Sequence, residues 1–142
     1  MASTHVYDQV KALLQAGMAG VPVFDWDQID PSPPPQTQQG VNFLVLDEEW
    51  GDARKVAIGD PAHVCEREEA YLVVHCLVPA PQSSATARAF AEQVRAVLHD
   101  QNVANLRVMN VAPPALELMN DGLWTAALLS IEVQYDYFVA IP

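Results

Sequence analysis

The sequence predicts an α+β fold: a mostly antiparallel or mixed β-sheet, two α-helices packed on one of its faces, and a long acidic, proline-rich loop. Three observations carry the prediction. Apolar residues recur at i, i+4, i+7 and i+8 in two separate stretches, 6–14 and 90–98, the stripe of an amphipathic helix. Runs of β-branched and apolar residues of strand length stand between and after them. The order is therefore helix, strands, helix, strands, not the strand–helix alternation of a parallel sheet.

The first helix is expected over Thr4 to Met18, with Val6, Val10, Leu13 and Leu14 as its stripe and Gly17 and Gly20 as its stop. Val21 to Phe24 is a short strand candidate. The stretch VFDWDQIDPSPPPQTQQG, residues 23–40, then carries Pro31, Pro33, Pro34 and Pro35, none of which has an N–H to give a sheet ladder. Val41 to Leu46 reads as a strand, DEEWGD (47–52) as a charged turn or loop, and Arg54 to Ile58 as another short strand. His63 to Cys65 can begin a strand that leads through EREE into Tyr71–Val78. YLVVHCLV is apolar at both parities, as in a central strand covered on both faces, and Pro79 and Pro81 close it.

Ser83 or Ser84 can N-cap the second helix, which runs to about His99. Its apolar stripe is Phe90, Val94, Val97 and Leu98, and its exposed side carries Arg88, Glu92 and Arg95. Leu106–Val111 and Leu116–Met119 are strand candidates, and Asn120-Asp121-Gly122 is a hairpin turn signal. The last strand is long, Leu123 to about Val139. It sets Ile131, Val133, Tyr135 and Tyr137 on one face and Glu132, Gln134 and Asp136 on the other. No internal repeat is present.

A chain of 142 residues, 51% hydrophobic and 18% charged, fits one domain with a sizeable core. Its net charge of −11 repels phosphate backbones and anionic membranes, which argues against nucleic-acid or membrane binding. The acidity is concentrated: Asp25 to Glu69 holds three bases against eleven acids, a net of −8. No apolar run approaches the roughly 20 residues of a membrane span, and a signal peptide is not expected. Two cysteines, Cys65 and Cys76, are too few for a disulfide framework and read as free thiols; a cross-hairpin disulfide is the alternative.

Each cluster that could do chemistry has a plainer reading. Asp25, Asp27 and Asp30 could hold a hard divalent cation, but the glycine and late bidentate Glu of a calcium loop do not follow. A solvated edge or loop is the better account. Asp47-Glu48-Glu49 and Glu66–Glu69 read as solvated turns rather than paired catalytic carboxylates. His5, His63, His75 and His99 show no metal-ligand spacing, and His75 reads as a hydrogen-bonded core or interface residue. There is no CxxC, GxSxG or glycine-rich phosphate loop. No catalytic residue, cofactor or metal is expected, and the chain is not expected to be an enzyme. Trp26 and Trp50, each beside acids in irregular segments, point instead to a protein interface on the 25–61 arm. Its candidate residues are Trp26, Asp27, Asp47, Glu48, Glu49, Trp50 and Arg54.

Two longer stretches carry a family resemblance. GLWTAALLSIEVQYDY, residues 122–137, resembles the final strand of the tail terminator proteins of long-tailed bacteriophages, the minor tail protein U type of lambda-like phages. The matching positions are Gly122, Leu123 and Trp124 at the turn and Tyr135 and Asp136 at the strand end. EEAYLVVHCLVPAPQSSATARAFAEQVRAVL, residues 68–98, is similar to the family's apolar strand, proline-bounded link and amphipathic helix. Phe24-Asp25, followed by a gap and the VNFLVL strand, also fits; the prolines at 31–35 depart from the pattern.

The resemblance implies a virion protein at the head-proximal end of the tail, assembled in the host cytoplasm. It implies a ring, a homohexamer, that caps the tail tube, meets the head-completion or connector protein, and passes DNA through its lumen without binding it. Carboxylates offer passing phosphates no partner, which agrees with the composition. The alternative is another acidic head–tail joining or adaptor module without tube-terminating activity.

Overall fold

A computed structural model describes residues 4–25, 42–60, 63–79, 83–99, 101–103, 106–117 and 124–140. Within these, the side chains at 4–5, 49–60, 63–65, 84, 103, 116–117, 124 and 137–140 lie outside the description. The fold is α+β, with two helices on one face of a mixed sheet.

Helix α1 is Thr4–Gly17, and its stripe residues Val6, Val10 and Leu14 are fully buried. The Met18 N–H donates to the Leu14 carbonyl at 2.9 Å and the Val21 N–H to that of Met18 at 3.1 Å. Gly20, at φ +82°, lets the chain leave in a left-handed turn that a side chain would strain. Helix α2 is Ser84–Leu98. Ser83 caps it, its hydroxyl accepting from the Thr86 N–H at 3.3 Å. Ala87, Phe90, Ala91, Val94 and Leu98 form the buried side of α2. The end of α1 meets α2 at Gly17, where an added Cβ would collide with Val97 Cγ1.

The strands are β1 (Val23–Asp25), β2 (Phe43–Asp60), β3 (His63–Pro79), β4 (Asn102–Val103), β5 (Leu106–Val111), β6 (Ala115–Glu117) and β7 (Trp124–Ala140). The spatial order is β1-β2-β3-β7-β5-β4, with β6 also on β7. β1 runs parallel to β2; every other described pair is antiparallel. β3 is central, as its two apolar parities require. The two-residue β4 has no sequence signal of its own.

One expectation is corrected. DEEWGD is not a loop: 47–52 belong to β2, which runs unbroken from Phe43 to Asp60 and absorbs the separate 54–58 strand. EREE likewise lies inside β3. The interface arm expected over 25–61 is therefore strand from Phe43 to Asp60, while its proline-rich part, 26–41, lies outside the described residues. The low strand propensity of Asp and Glu is overruled because β3 gives this stretch a continuous ladder partner, from Asp47↔Val73 through Asp52↔Glu69. A register shift between Glu48 and Trp50 accommodates one extra residue.

The main core lies between the helices and one sheet face. Leu44, Leu46, Leu72, Val74, Cys76, Leu129, Ile131 and Val133 meet the α1 and α2 stripes there. Each such burial contributes about 1.5–3 kcal/mol before entropy is counted. A smaller cluster of Phe43, Val45, Leu77 and Ala126 sits on the opposite face. Phe24 joins it edge-on to Phe43, with ring centroids 5.8 Å apart. Cys76 is free and buried. Cys65 is eleven residues away on the same strand, which puts them about 36 Å apart and rules out the cross-hairpin disulfide.

Candidate functional site

The helices leave one face of β3 and β7 uncovered by helix, and its polarity changes along the strands. From the Leu77–Ala126 end, successive rungs are His75 with Leu128, Val73 with Ser130, Tyr71 with Glu132, Glu69 with Gln134 and Arg67 with Asp136. The apolar rungs stand over the core, and the charged rungs stand beyond it. The alternation read in the sequence holds at 131–134: Ile131 and Val133 are buried and Glu132 and Gln134 half-buried, while Tyr135 and Asp136 are both half-buried.

Arg67 closes the charged end. Its Nε donates to Asp136 Oδ1 at 2.9 Å and an Nη to Oδ2 at 3.2 Å, a two-point fork between β3 and β7. Arg107 of β5 adds a cation 3.7 Å from Oδ2. The Arg67 hydrogen bonds, followed by the charges of Arg67 and Arg107, hold the Asp136 carboxyl below its ordinary range. Gln134 donates to Glu69 at 3.4 Å. Tyr71, 37% exposed, is raised above its ordinary value first by the Glu132 charge, with burial, the Glu132 hydrogen bond and Glu69 adding to it. Met109 of β5, 49% exposed, lies nearby at the bulge in the β5–β7 register.

A second cluster fixes the root of the 26–41 stretch. Tyr7 Oη lies 2.8 Å from both Asp25 Oδ1 and the Leu46 carbonyl, and Lys11 Nζ is 3.0 Å from the same Oδ1. One of the three aspartates considered for a metal is thus engaged by α1; Asp27 and Asp30 lie outside the described residues. No group of three potential metal-ligating side chains occurs among the described residues.

Of the candidate interface residues, Trp26 and Asp27 also lie outside the described residues. Asp47, Glu48, Glu49, Trp50 and Arg54 are all on β2, in order along one strand. Asp47 and Glu48 are half-buried, and the Glu48 N–H donates to Asp47 Oδ1 at 2.9 Å. The register sets Trp50 opposite Tyr71 and Arg54 opposite Arg67. Sequence reasoning missed Arg67, Tyr71 and Arg107, since only the β3–β7 and β5–β7 registers reveal that they meet Asp136 and Glu132. Glu68, read from sequence as part of a solvated turn, is instead buried on the helix-facing parity of β3, opposite Tyr135. His75 is half-buried on the other face.

A shallow groove on α2 is lined by Glu92, Arg95, Ala96 and His99, with Arg95 Nε donating to the Val111 carbonyl at 3.0 Å. No described helix is long and apolar enough to cross a membrane.

No protein-family model matches the chain, and no curated protein matches it. Among solved structures, it is similar to a chain described as "Virion of native gene transfer agent (GTA) particle", at 17% identity and a TM-score of 0.49. The match covers 93% of this chain and 92% of that one.

Proposed function

We propose that this chain is a ring-forming structural protein of a phage-like virion, a tail terminator that caps the tail tube and joins it to the head connector. One observation carries the reading. The two stretches that resemble the family, 68–98 and 122–137, coincide with β3, α2 and β7, the elements that build the sheet and its helical cover. The resemblance thus falls on the architecture as a whole and not on an isolated motif. The helix-free face, with Tyr71 and Met109 exposed beside charged rungs, suits contact with other protein chains better than a reaction. In this reading the acidic balance of the chain keeps DNA passing through the lumen from sticking.

Light scattering across a range of concentrations tests the ring, and purified tail-tube protein tests its role. A terminator limits the length of tubes grown in its presence. Tubes of unrestricted length, with the chain still oligomeric, would favour an adaptor module instead. A strict monomer at every concentration would remove the ring.

A further inference from the structure

Two surfaces of this chain face opposite ways across the sheet: the helix-free face of β3, β7 and β5, and the outward side of α2. We propose that they meet between copies, with the outward side of α2 in one chain seated on the helix-free face of the next. The proposal rests on the ring reading and names the contact that builds the ring. Because the two surfaces differ, the contact is head to tail, and each added copy presents again the surface its neighbour used.

Past the helix-covered core, β2, β3 and β7 continue as a ribbon, and the receiving surface lies where β5 still flanks it. Tyr71 and Met109, the large hydrophobics exposed among the described residues, stand on either side of Glu132, one on β3 and one at the β5 bulge. The bulge turns Met109 and Asn110 outward together while Val108 and Val111 stay buried. The next rung runs Glu69, Gln134, Arg107, so it is negative at β3 and positive at β5. The Glu132 and Glu69 charges that raise the Tyr71 phenol report the same negative field on the β3 side. Exposed tyrosine, methionine and arginine are residues that protein interfaces favour.

Charge selects a second copy as the occupant. Among the described bases, Lys11 pairs with Asp25, Arg67 and Arg107 with Asp136, and Arg95 with the Val111 carbonyl. Arg88 of α2 is exposed, and its side chain has no partner among the described residues. In a chain of net charge −11, that is the cation one copy can offer to the acidic side of another. Glu92, also exposed, follows one turn later, so α2 presents plus then minus where the sheet face presents minus then plus. Arg88 then lies over the Tyr71 ring with the Glu69 and Glu132 carboxylates beside it, and Glu92 reaches Arg107. Glu69 and Arg107 are two strand spacings apart, about 9.6 Å, and Arg88 and Glu92 about 6 Å along the helix, a difference their long side chains cover. Ala89 and Ala96, exposed between the charges, let the helix come close. Turned end for end, α2 would set Arg88 against Arg107 and Glu92 against Glu69, so one direction is favoured.

The test is a charge swap in the full chain, read by light scattering across concentrations. Arg88→Glu, Glu92→Arg and Arg107→Glu, each alone, are expected to raise the concentration of half-assembly at least about tenfold, because each sets like charges together. The double variant Glu92→Arg/Arg107→Glu restores opposite signs and is expected to return it to within about threefold of the native value. All three side chains are exposed, so melting midpoints near the native one are expected and separate lost assembly from lost folding. Arg88→Glu, which breaks no bond within its own chain, carries the test if an Arg107 variant melts early. Single variants that assemble as the native chain does would overturn this contact and leave the ring reading standing. Weakened single variants with no recovery in the double variant would overturn the meeting of Glu92 with Arg107 and the orientation built on it. A native chain that stays monomeric at every concentration would overturn both the contact and the ring.

Discussion

At the helix-covered end of the sheet, β2, β3 and β7 place Leu46, Leu72, Val74, Leu129 and Ile131 against two amphipathic helices, all fully buried. At the far end β3 and β7 carry Arg67, Glu69, Gln134 and Asp136, and no helix stripe meets these four among the described residues. The ladder is continuous; what changes is what the side chains have to do. One end supplies the apolar burial that holds the chain folded. The other is kept in register by its backbone ladder and a few charge-assisted bonds. Apolar burial and charge pairing are therefore separated along the length of single strands.

That separation can be broken, and the largest effects belong at the covered end. Leu129→Ala removes a fully buried side chain from the core and should cost about 2–5 kcal/mol in urea unfolding. A loss below 1 kcal/mol would mean the helix-covered end does not dominate stability. Gly17→Ala comes next and has an unusual sign. In most helices the change gains up to about 1 kcal/mol, but here the new methyl meets Val97, so a loss of about 1–3 kcal/mol is expected. Val97→Ala in the same chain should recover most of it, as read from paired melting curves. Ser83→Ala, which removes the α2 cap, should cost about 1 kcal/mol in the same measurement.

At the ribbon end the effects should be smaller and depend on pH. Asp136→Asn breaks a partly exposed fork and should cost about 1 kcal/mol or less. Because the folded-state pKa of Asp136 lies below its ordinary value of 3.8, its contribution is complete above that value. It fades as pH falls through the lower folded value. The gap between native and variant urea midpoints should therefore be open at neutral pH and close in strong acid; a gap that widens in acid would be the wrong sign. Tyr71→Phe should leave stability nearly unchanged while removing a phenol that ionises above the ordinary tyrosine value in an alkaline absorbance titration. Loss of an early-titrating phenol instead would show that Glu132 does not act on Tyr71.

What the sequence made legible follows the same division. Val6, Val10, Leu14, Phe90, Val94 and Leu98 announce helices because burial on one side imposes a period on the chain, and all six are buried. The central position of β3 follows from apolar residues at both parities. The ribbon was misread at 47–52 because charged strands carry no such period, and their pairing is decided by a neighbour elsewhere in the chain. Arg67 meets Asp136 across 69 positions. No local pattern around either residue announces that meeting, since it is fixed by the β3–β7 register. Trp50 and Arg54 were picked out as interface candidates from their chemistry, whereas their place on a continuous β2 was not legible.

The long-range pairing of β3 with β7 also bears on the order of events in folding. β2 and β3 are hairpin neighbours and can close quickly, but β7 must return from 45 to 77 residues away to occupy the other side of β3. Until it does, β3 exposes a 17-residue edge whose Ala70–Val78 part is mostly apolar, the character of edge that recruits the wrong chain. Docking of β7 is then the slow, aggregation-sensitive step. Pulsed hydrogen exchange during refolding should find the β2–β3 amides protected before those of β5 and β7; simultaneous protection would refute that order. Synthesis imposes the same delay, because α2, β4, β5 and β6 must all be made before β3 acquires its second neighbour.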